Sequence, residues 1–195
     1  MLKRESSLEI YKNHESSLHS GIKIQELSFN TKINLRGDLN DINFVSSINK
    51  VLNISLPQEP NTYTIYENIK IIWLSPNEWL INEENEHNKH RLLNELINSV
   101  GSEKASVTDV SENRTIIRIS GKKIFKLLAK FLVINLDNDF SKVTSSAQTI
   151  FVKVPVLLVR IHKKNEEPMI DIFTNRSHAN YIFTLLVDGT KNLHF

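Results

Sequence analysis

An α+β fold, two ferredoxin-like β-α-β-β-α-β halves packed as one compact body, follows from three features of the sequence. Strand-like alternation of apolar and polar residues gives way several times to the three-to-four spacing of helices. The resulting order is strand, helix, strands, helix, strand, and then much the same again, with the last strand of the second half missing. No linker separates the two runs, so they are expected to share one body, split near residues 110–114. The expected division is a flexible N-terminal arm over 1–20, a first half over 21–110 and a second half over 111–195.

Residues 1–20 are polar and rich in Ser, His and Glu, without sustained periodicity, which predicts the arm. From Gly21 onward Ile22 and Ile24, then Ile33 and Leu35, mark strands. Phe44, Val45, Ile48, Val51 and Leu52 then fall on one helical face, with Asn40 or Asp41 placed to cap it. Two prolines in "ISLPQEPN" end that helix. Strands follow, turning at Glu67-Asn68 and at Ser75-Pro76-Asn77. Leu92, Leu93, Leu96, Ile97 and Val100 form the next helical stripe, closed by Gly101.

"KASVTDVS", closing the first half, and "RTIIRIS", opening the second, read as strands around a Ser111-Glu112-Asn113 turn. "GKKIFKLLAKFL" reads as a helix with Ser120 as its cap and Ile124, Leu127, Leu128, Phe131 and Leu132 inward. Strands run from Ala147 to Phe173, with Pro155 marking an edge or a break. A last helix begins at Ser177 and is expected to stop at Gly189.

Composition narrows the function. The chain has 195 residues, 40% of them hydrophobic, enough for one large core or two small ones. Twenty-four Lys and Arg nearly balance 22 Asp and Glu, so a nucleic-acid partner is not expected. The chain has no cysteine, which excludes disulfides, thiolate metal sites and a thiol nucleophile. The charged N-terminus has no apolar stretch of signal type, and no run approaches the ~20 apolar residues of a membrane span. A cytoplasmic protein with no membrane partner is the expectation.

Motifs of chemistry are scarce. Gly121 and Lys122 suggest a phosphate loop, but a P-loop needs a second Gly five residues earlier and Ser or Thr after the Lys. Ile116 and Lys123 stand there instead, so a strand–turn–helix joint is the better reading. His87 and His90 have a metal-pair spacing without further ligands, and a solvated helix start accounts for them. His162 is read as lying at a strand end. Asp109 and Asp171 are lone carboxylates in or at the ends of strands, where turn and cap bonding is the simpler account. Trp73 and Trp79 bracket "LSPNE", and two readings stand open: core anchors or interface anchors. No catalytic, cofactor-binding or metal-binding residue is assigned.

Several blocks, taken together and in order, carry a resemblance. They are "INLRGD" at 33–38, "LPQEPNT" at 56–62, "IIWLSPNEWLI" at 71–81 and "SVTDVSENRTIIRISG" at 106–121. "LLAK" at 127–130, "SSAQT" at 145–149 and "VPVLLVR" at 154–160 complete the series. Over about residues 30–188 the chain resembles the gamma-subunit family of heterotetrameric sarcosine oxidase. Where that family tends to carry Gly-Cys-Pro after "LLAK", this chain has Phe131-Leu132-Val133, and no ligand is assigned there.

The resemblance implies an aminomethyltransferase-like fold and a non-catalytic, structural subunit. It implies alpha, beta and delta partner subunits that carry FAD, FMN, NAD, tetrahydrofolate and zinc, with none of these on this chain. It further implies a complex that converts sarcosine and oxygen to glycine, peroxide and 5,10-methylenetetrahydrofolate. The alternative is a free-standing folate- or one-carbon-binding protein of the aminomethyltransferase type.

Overall fold

The computed structural model describes residues 3–11, 17–18, 21–84, 86–100, 104–136, 140, 142–163, 165–191 and 193. In chain order the strands and helices are β1 (Ser17–Leu18), β2 (Ile22–Glu26), β3 (Thr31–Arg36), α1 (Ile42–Leu52), β4 (Tyr63–Tyr66), β5 (Ile69–Ser75), β6 (Glu78–Glu83) and α2 (Lys89–Val100). They continue with β7 (Ser106–Asp109), β8 (Arg114–Ser120), α3 (Ile124–Leu128), β9 (Ser146–Phe151), β10 (Val154–Arg160), β11 (Met169–Asn175) and α4 (Ala179–Thr190). The chain forms two units: Phe29–Glu112, and Met1–Ser28 together with Asn113–Phe195.

The contiguous unit has a five-stranded antiparallel sheet in the order β4-β5-β6-β3-β7. With β4 set aside as an added hairpin strand, this is the ferredoxin-like order, with the fourth strand beside the first. Asp41 starts α1 by accepting bonds from the Asn43 and Phe44 amides, at 2.9 and 3.1 Å. Asn53, in the left-handed conformation that Asn tolerates, ends it. Phe44, Ile48 and Leu52 of α1 and Leu92 and Leu96 of α2 pack on Ile33, Leu35, Ile71, Trp79 and Ile81. Ile97, expected inward, is half exposed, because the stripe of α2 narrows to Leu92 and Leu96. Gly101 lies outside the described residues.

The discontinuous unit has a six-stranded sheet in the order β1-β2-β8-β11-β10-β9. Here the division at residue 110 is corrected. Strand β2 leaves the first half and pairs antiparallel with β8, Lys23 opposite Ser120 and Glu26 opposite Ile117. It supplies the fourth strand that the second half lacks in its own sequence. With β1 set aside, the two sheets therefore share one strand order, the second unit being circularly permuted. Periodicity marks a strand but not its partner, so the pairing was invisible in the pattern of β2.

The arm is corrected as well. Leu8 is buried and belongs to the core cluster of this unit, which also holds Ile117, Ile119, Leu158 and Ile172 of the sheet and Ile182 and Leu186 of α4. The Ser7 and Leu8 amides donate to the Glu26 carboxylate at 3.1 and 3.0 Å, and Thr115 Oγ1 donates to it at 2.6 Å. Tyr11 donates to Asn180, and its ring lies tilted against that of Phe183 with centroids 4.7 Å apart. One apolar residue and one aromatic in a polar stretch show no period, which hid this anchoring. Residues 12–16 and 19–20 lie outside the described set.

Three local expectations also change. Ser120 is the last residue of β8 and not a cap, and α3 spans only Ile124–Leu128. Ser177 sits inside a short 3-10 turn, Arg176–His178, that precedes α4. Gly189 does not stop α4. It lies within the helix, where a Cβ would come within 2.7 Å of Leu127 and 2.8 Å of Phe131, so it is a packing glycine. Pro155 is paired with Ile150 of β9, while β11 reaches β10 only at Leu157, so its missing N–H breaks no β11 bond.

Candidate functional site

Trp73 and Trp79 are direct cross-strand partners on β5 and β6, on the face that α1 and α2 cover. Trp79 is fully buried. Its indole N–H donates to the Pro57 carbonyl at 2.9 Å, and its ring lies 6.3 Å from that of Phe44. Its polar hydrogen is satisfied and its surface is spent, so Trp79 is a core anchor and the interface reading is corrected for it. Trp73 is half-buried against the same core and keeps part of its ring open.

The "INLRGD" and "LSPNE" blocks meet at one end of this sheet. Gly37 donates its N–H to the Asn77 carbonyl at 3.1 Å. A Cβ at Gly37 would come within 2.3 Å of the Phe44 ring, so only glycine lets α1 approach. Asn34 Nδ2 donates to Glu78 Oε1 at 2.7 Å, and Arg36 pairs with Glu78 at 3.4 Å. Asp38 Oδ1 accepts from the Asn40 amide and Nδ2, both at 2.9 Å. The Arg36-Gly37-Asp38 triplet is thus a strand-end joint.

Asp109, at the end of β7, receives Lys89 Nζ at 2.8 Å and the Ser111 amide at 2.9 Å. Burial works against its ionisation. The bonds from Lys89 and Ser111, with the Lys89 charge, outweigh that and hold the carboxyl below the usual carboxylate range. Ser111 in turn ties the joint to β3: the Lys32 amide donates to Ser111 Oγ at 3.0 Å, and Oγ donates back to the Lys32 carbonyl at 3.3 Å.

The Gly121-Lys122 joint packs closely on the start of β2. Gly121 has φ +134°, and a Cβ there would lie 2.4 Å from the Gly21 carbonyl oxygen and 3.1 Å from Ile22 Cα. The backbone before β2 fills the space a side chain at residue 121 would take. The Gly121 N–H donates to the Pro168 carbonyl at 3.0 Å, and Lys123 Nζ donates to the Leu193 carbonyl at 3.0 Å.

Asp171 is fully buried in β11, directly opposite Arg118 of β8. The guanidinium reaches it with two bonds, Nε to Oδ1 at 2.6 Å and Nη2 to Oδ2 at 2.8 Å. Sequence reading found the carboxylate and missed its partner. The available signal was one charge of opposite sign inside each of two apolar strands, "RTIIRIS" and "MIDIF". His162, just beyond β10, accepts the Met169 N–H on Nδ1 at 3.0 Å. Burial pushes its pKa down; the Met169 carbonyl, 3.1 Å from the same ring nitrogen, works the other way by favouring a proton there, while Arg160 adds to the depression and Glu166 opposes it. His87 and His90 are exposed, and among the described residues no three His, Asp or Glu side chains gather as metal ligands. Among those residues no helix is long and apolar enough to cross a membrane.

Two sheets of ferredoxin-like strand order, each held within its own unit by these tight motifs, define an α+β protein with an aminomethyltransferase-like fold. The glycine cleavage system aminomethyltransferase T from Bartonella henselae shares the fold, with a TM-score of 0.65 at 13% identity over 87% of this chain and 46% of that one. The chain belongs to the sarcosine oxidase, gamma subunit family, whose model matches residues 36–192. It is 26% identical to the sarcosine oxidase subunit gamma of Corynebacterium sp. (strain P-1), over 75% of this chain and 70% of that one. It is 23% identical to the same subunit of Arthrobacter sp., over 89% and 84%. A chain of the heterotetrameric sarcosine oxidase from Corynebacterium sp. U-96, solved with pyrrole 2-carboxylate, superposes with a TM-score of 0.85 at 23% identity, over 98% of this chain and 97% of that one.

Proposed function

We propose that this chain is the gamma subunit of a heterotetrameric sarcosine oxidase and braces its alpha, beta and delta partners without catalytic residues of its own. FAD, FMN, NAD, tetrahydrofolate and zinc are assigned to those partners. The complex oxidises sarcosine with oxygen to glycine and peroxide, and tetrahydrofolate takes the one-carbon unit as 5,10-methylenetetrahydrofolate. The observation that carries this reading is the family match over residues 36–192. A structural role is supported by where the motif residues are spent: Gly37 on Asn77, Ser111 on Lys32 and Gly121 against Gly21 are all internal joints.

A tagged pull-down from the native cells tests it. Three co-purifying chains, a flavin absorption band and sarcosine-dependent peroxide are expected. A colourless chain recovered alone would overturn the reading. The likeness to aminomethyltransferase T keeps a second reading, a free-standing folate-binding protein. Calorimetric titration with tetrahydrofolate distinguishes it, since the subunit reading expects no heat from this chain alone.

A further inference from the structure

Within the sheet of residues 29–112, Thr31 of β3 stands directly opposite Glu83 of β6. Both follow the alternation of Ile33 and Ile81, so both point to the face that the helices cover. Thr31 is fully buried and Glu83 is 4% exposed. Glu83 Oε1 accepts from Asn88 Nδ2 at 3.0 Å, but Oε2 has no hydrogen-bond partner, and neither has Thr31 Oγ1. Lys89, one residue beyond Asn88, has its ammonium on Asp109.

Two orphaned oxygens on directly paired residues are a joint demand. A buried carboxylate oxygen without a donor is strongly destabilising, and native interiors seldom leave it so. Side chains opposite each other in an antiparallel ladder have Cβ atoms about 4.5–5.5 Å apart, so one small ligand can reach both oxygens. It must donate to Glu83 Oε2 and bond to a hydroxyl at Thr31, which water and ammonium both do. We propose that Thr31 Oγ1 and Glu83 Oε2 form a buried site for one small N–H or O–H donor, a water molecule or an ammonium ion, held between β3 and β6.

A high-resolution crystal structure of the full chain, or of the complex containing it, grown without ammonium, tests the site. The expected result is one isolated peak within about 2.7–3.2 Å of both oxygens. A Thr31 hydroxyl bonded straight to Glu83, with no peak, would overturn the proposal. Melting temperatures in ammonium chloride and choline chloride at equal ionic strength then identify the occupant. Equal values together with the peak assign water. A higher value in ammonium that is lost in Thr31→Val and in Glu83→Gln assigns the cation. Thr31→Ser, which keeps the hydroxyl, is expected to behave as the parent chain, and a Thr31→Val protein as stable as the parent in both salts would count against the site. None of these readouts depends on sarcosine oxidation, so the site and the subunit reading fail separately.

Discussion

Arg118 and Asp171 face each other across β8 and β11 and share two parallel hydrogen bonds, with the carboxylate fully buried. Such a pair is costly to break and cheap to replace. Asp171→Asn, which leaves the guanidinium half-partnered inside the sheet, is expected to lower stability by about 3–5 kcal/mol. The double variant Arg118→Met with Asp171→Leu is expected to lose much less. Urea midpoints of the three proteins check this, and equal losses in single and double variants would contradict it.

Gly121 and Gly21 differ in what a side chain would meet. Gly121→Ala places a methyl against the Gly21 carbonyl in a left-handed backbone, and is expected to cost at least about 2 kcal/mol. Gly21→Ala, with φ +69° and open space around it, is expected to cost only about 1–2 kcal/mol. Thermal unfolding of both variants reads the difference. A Gly121→Ala protein as stable as the parent would contradict the close approach of Gly21 to Gly121.

The two tryptophans separate stability from assembly. Trp79→Ala is expected to lose about 3–5 kcal/mol, since it empties the core and orphans the Pro57 carbonyl. Trp73→Ala is expected to lose less. If the open part of the Trp73 ring meets a partner subunit, its loss shows as weakened co-purification with near-native unfolding.

Leu8→Ala tests the anchored N-terminus. A core leucine truncation costs about 2–5 kcal/mol, whereas the same change in a flexible arm costs almost nothing. Deletion of residues 1–11 is expected to destabilise further by exposing Ile22 and Ile24. Urea titration distinguishes the outcomes.

Two groups shape the acid side of the stability curve. His162 titrates lower in the fold than when unfolded, so its contribution is complete above the unfolded value near 6.5. That contribution is lost as pH falls through the depressed folded value. Asp109 follows the same sign at lower pH, its contribution complete above the unfolded value near 3.8 and lost below it. His162→Gln is therefore expected to flatten the fall in stability as pH drops below about 6.5, and Asp109→Asn or Lys89→Met the fall below about 3.8. Urea midpoints across that range measure both.

The helical faces of α1 and α2, the strand runs and the turn at Asn77 were legible because each is written locally, in spacing or in a turn residue. The role of Gly121 was half legible. The broken P-loop spacing argued against phosphate, but nothing local named Gly21 as its neighbour. What stayed hidden is non-local. Arg118 and Asp171 are 53 residues apart, and the partner of β2 lies beyond a whole unit. Leu8 gave no period because it acts alone. Trp79 was ambiguous because the same indole serves a core or an interface, and only its bond to Pro57 decides.

The late pairing of β2 has a consequence for biosynthesis. Eighty-seven residues separate the end of β2 at Glu26 from the start of β8 at Arg114. At about 5–20 residues per second, a ribosome needs roughly 4–17 s to deliver them. During that interval Ile22 and Ile24 emerge with no sheet to join, while every strand of the 29–112 unit becomes available in turn. A chain interrupted before Asn113 would carry one complete sheet and a β1–β2 pair still lacking β8, a species open to wrong pairing and to chaperone capture.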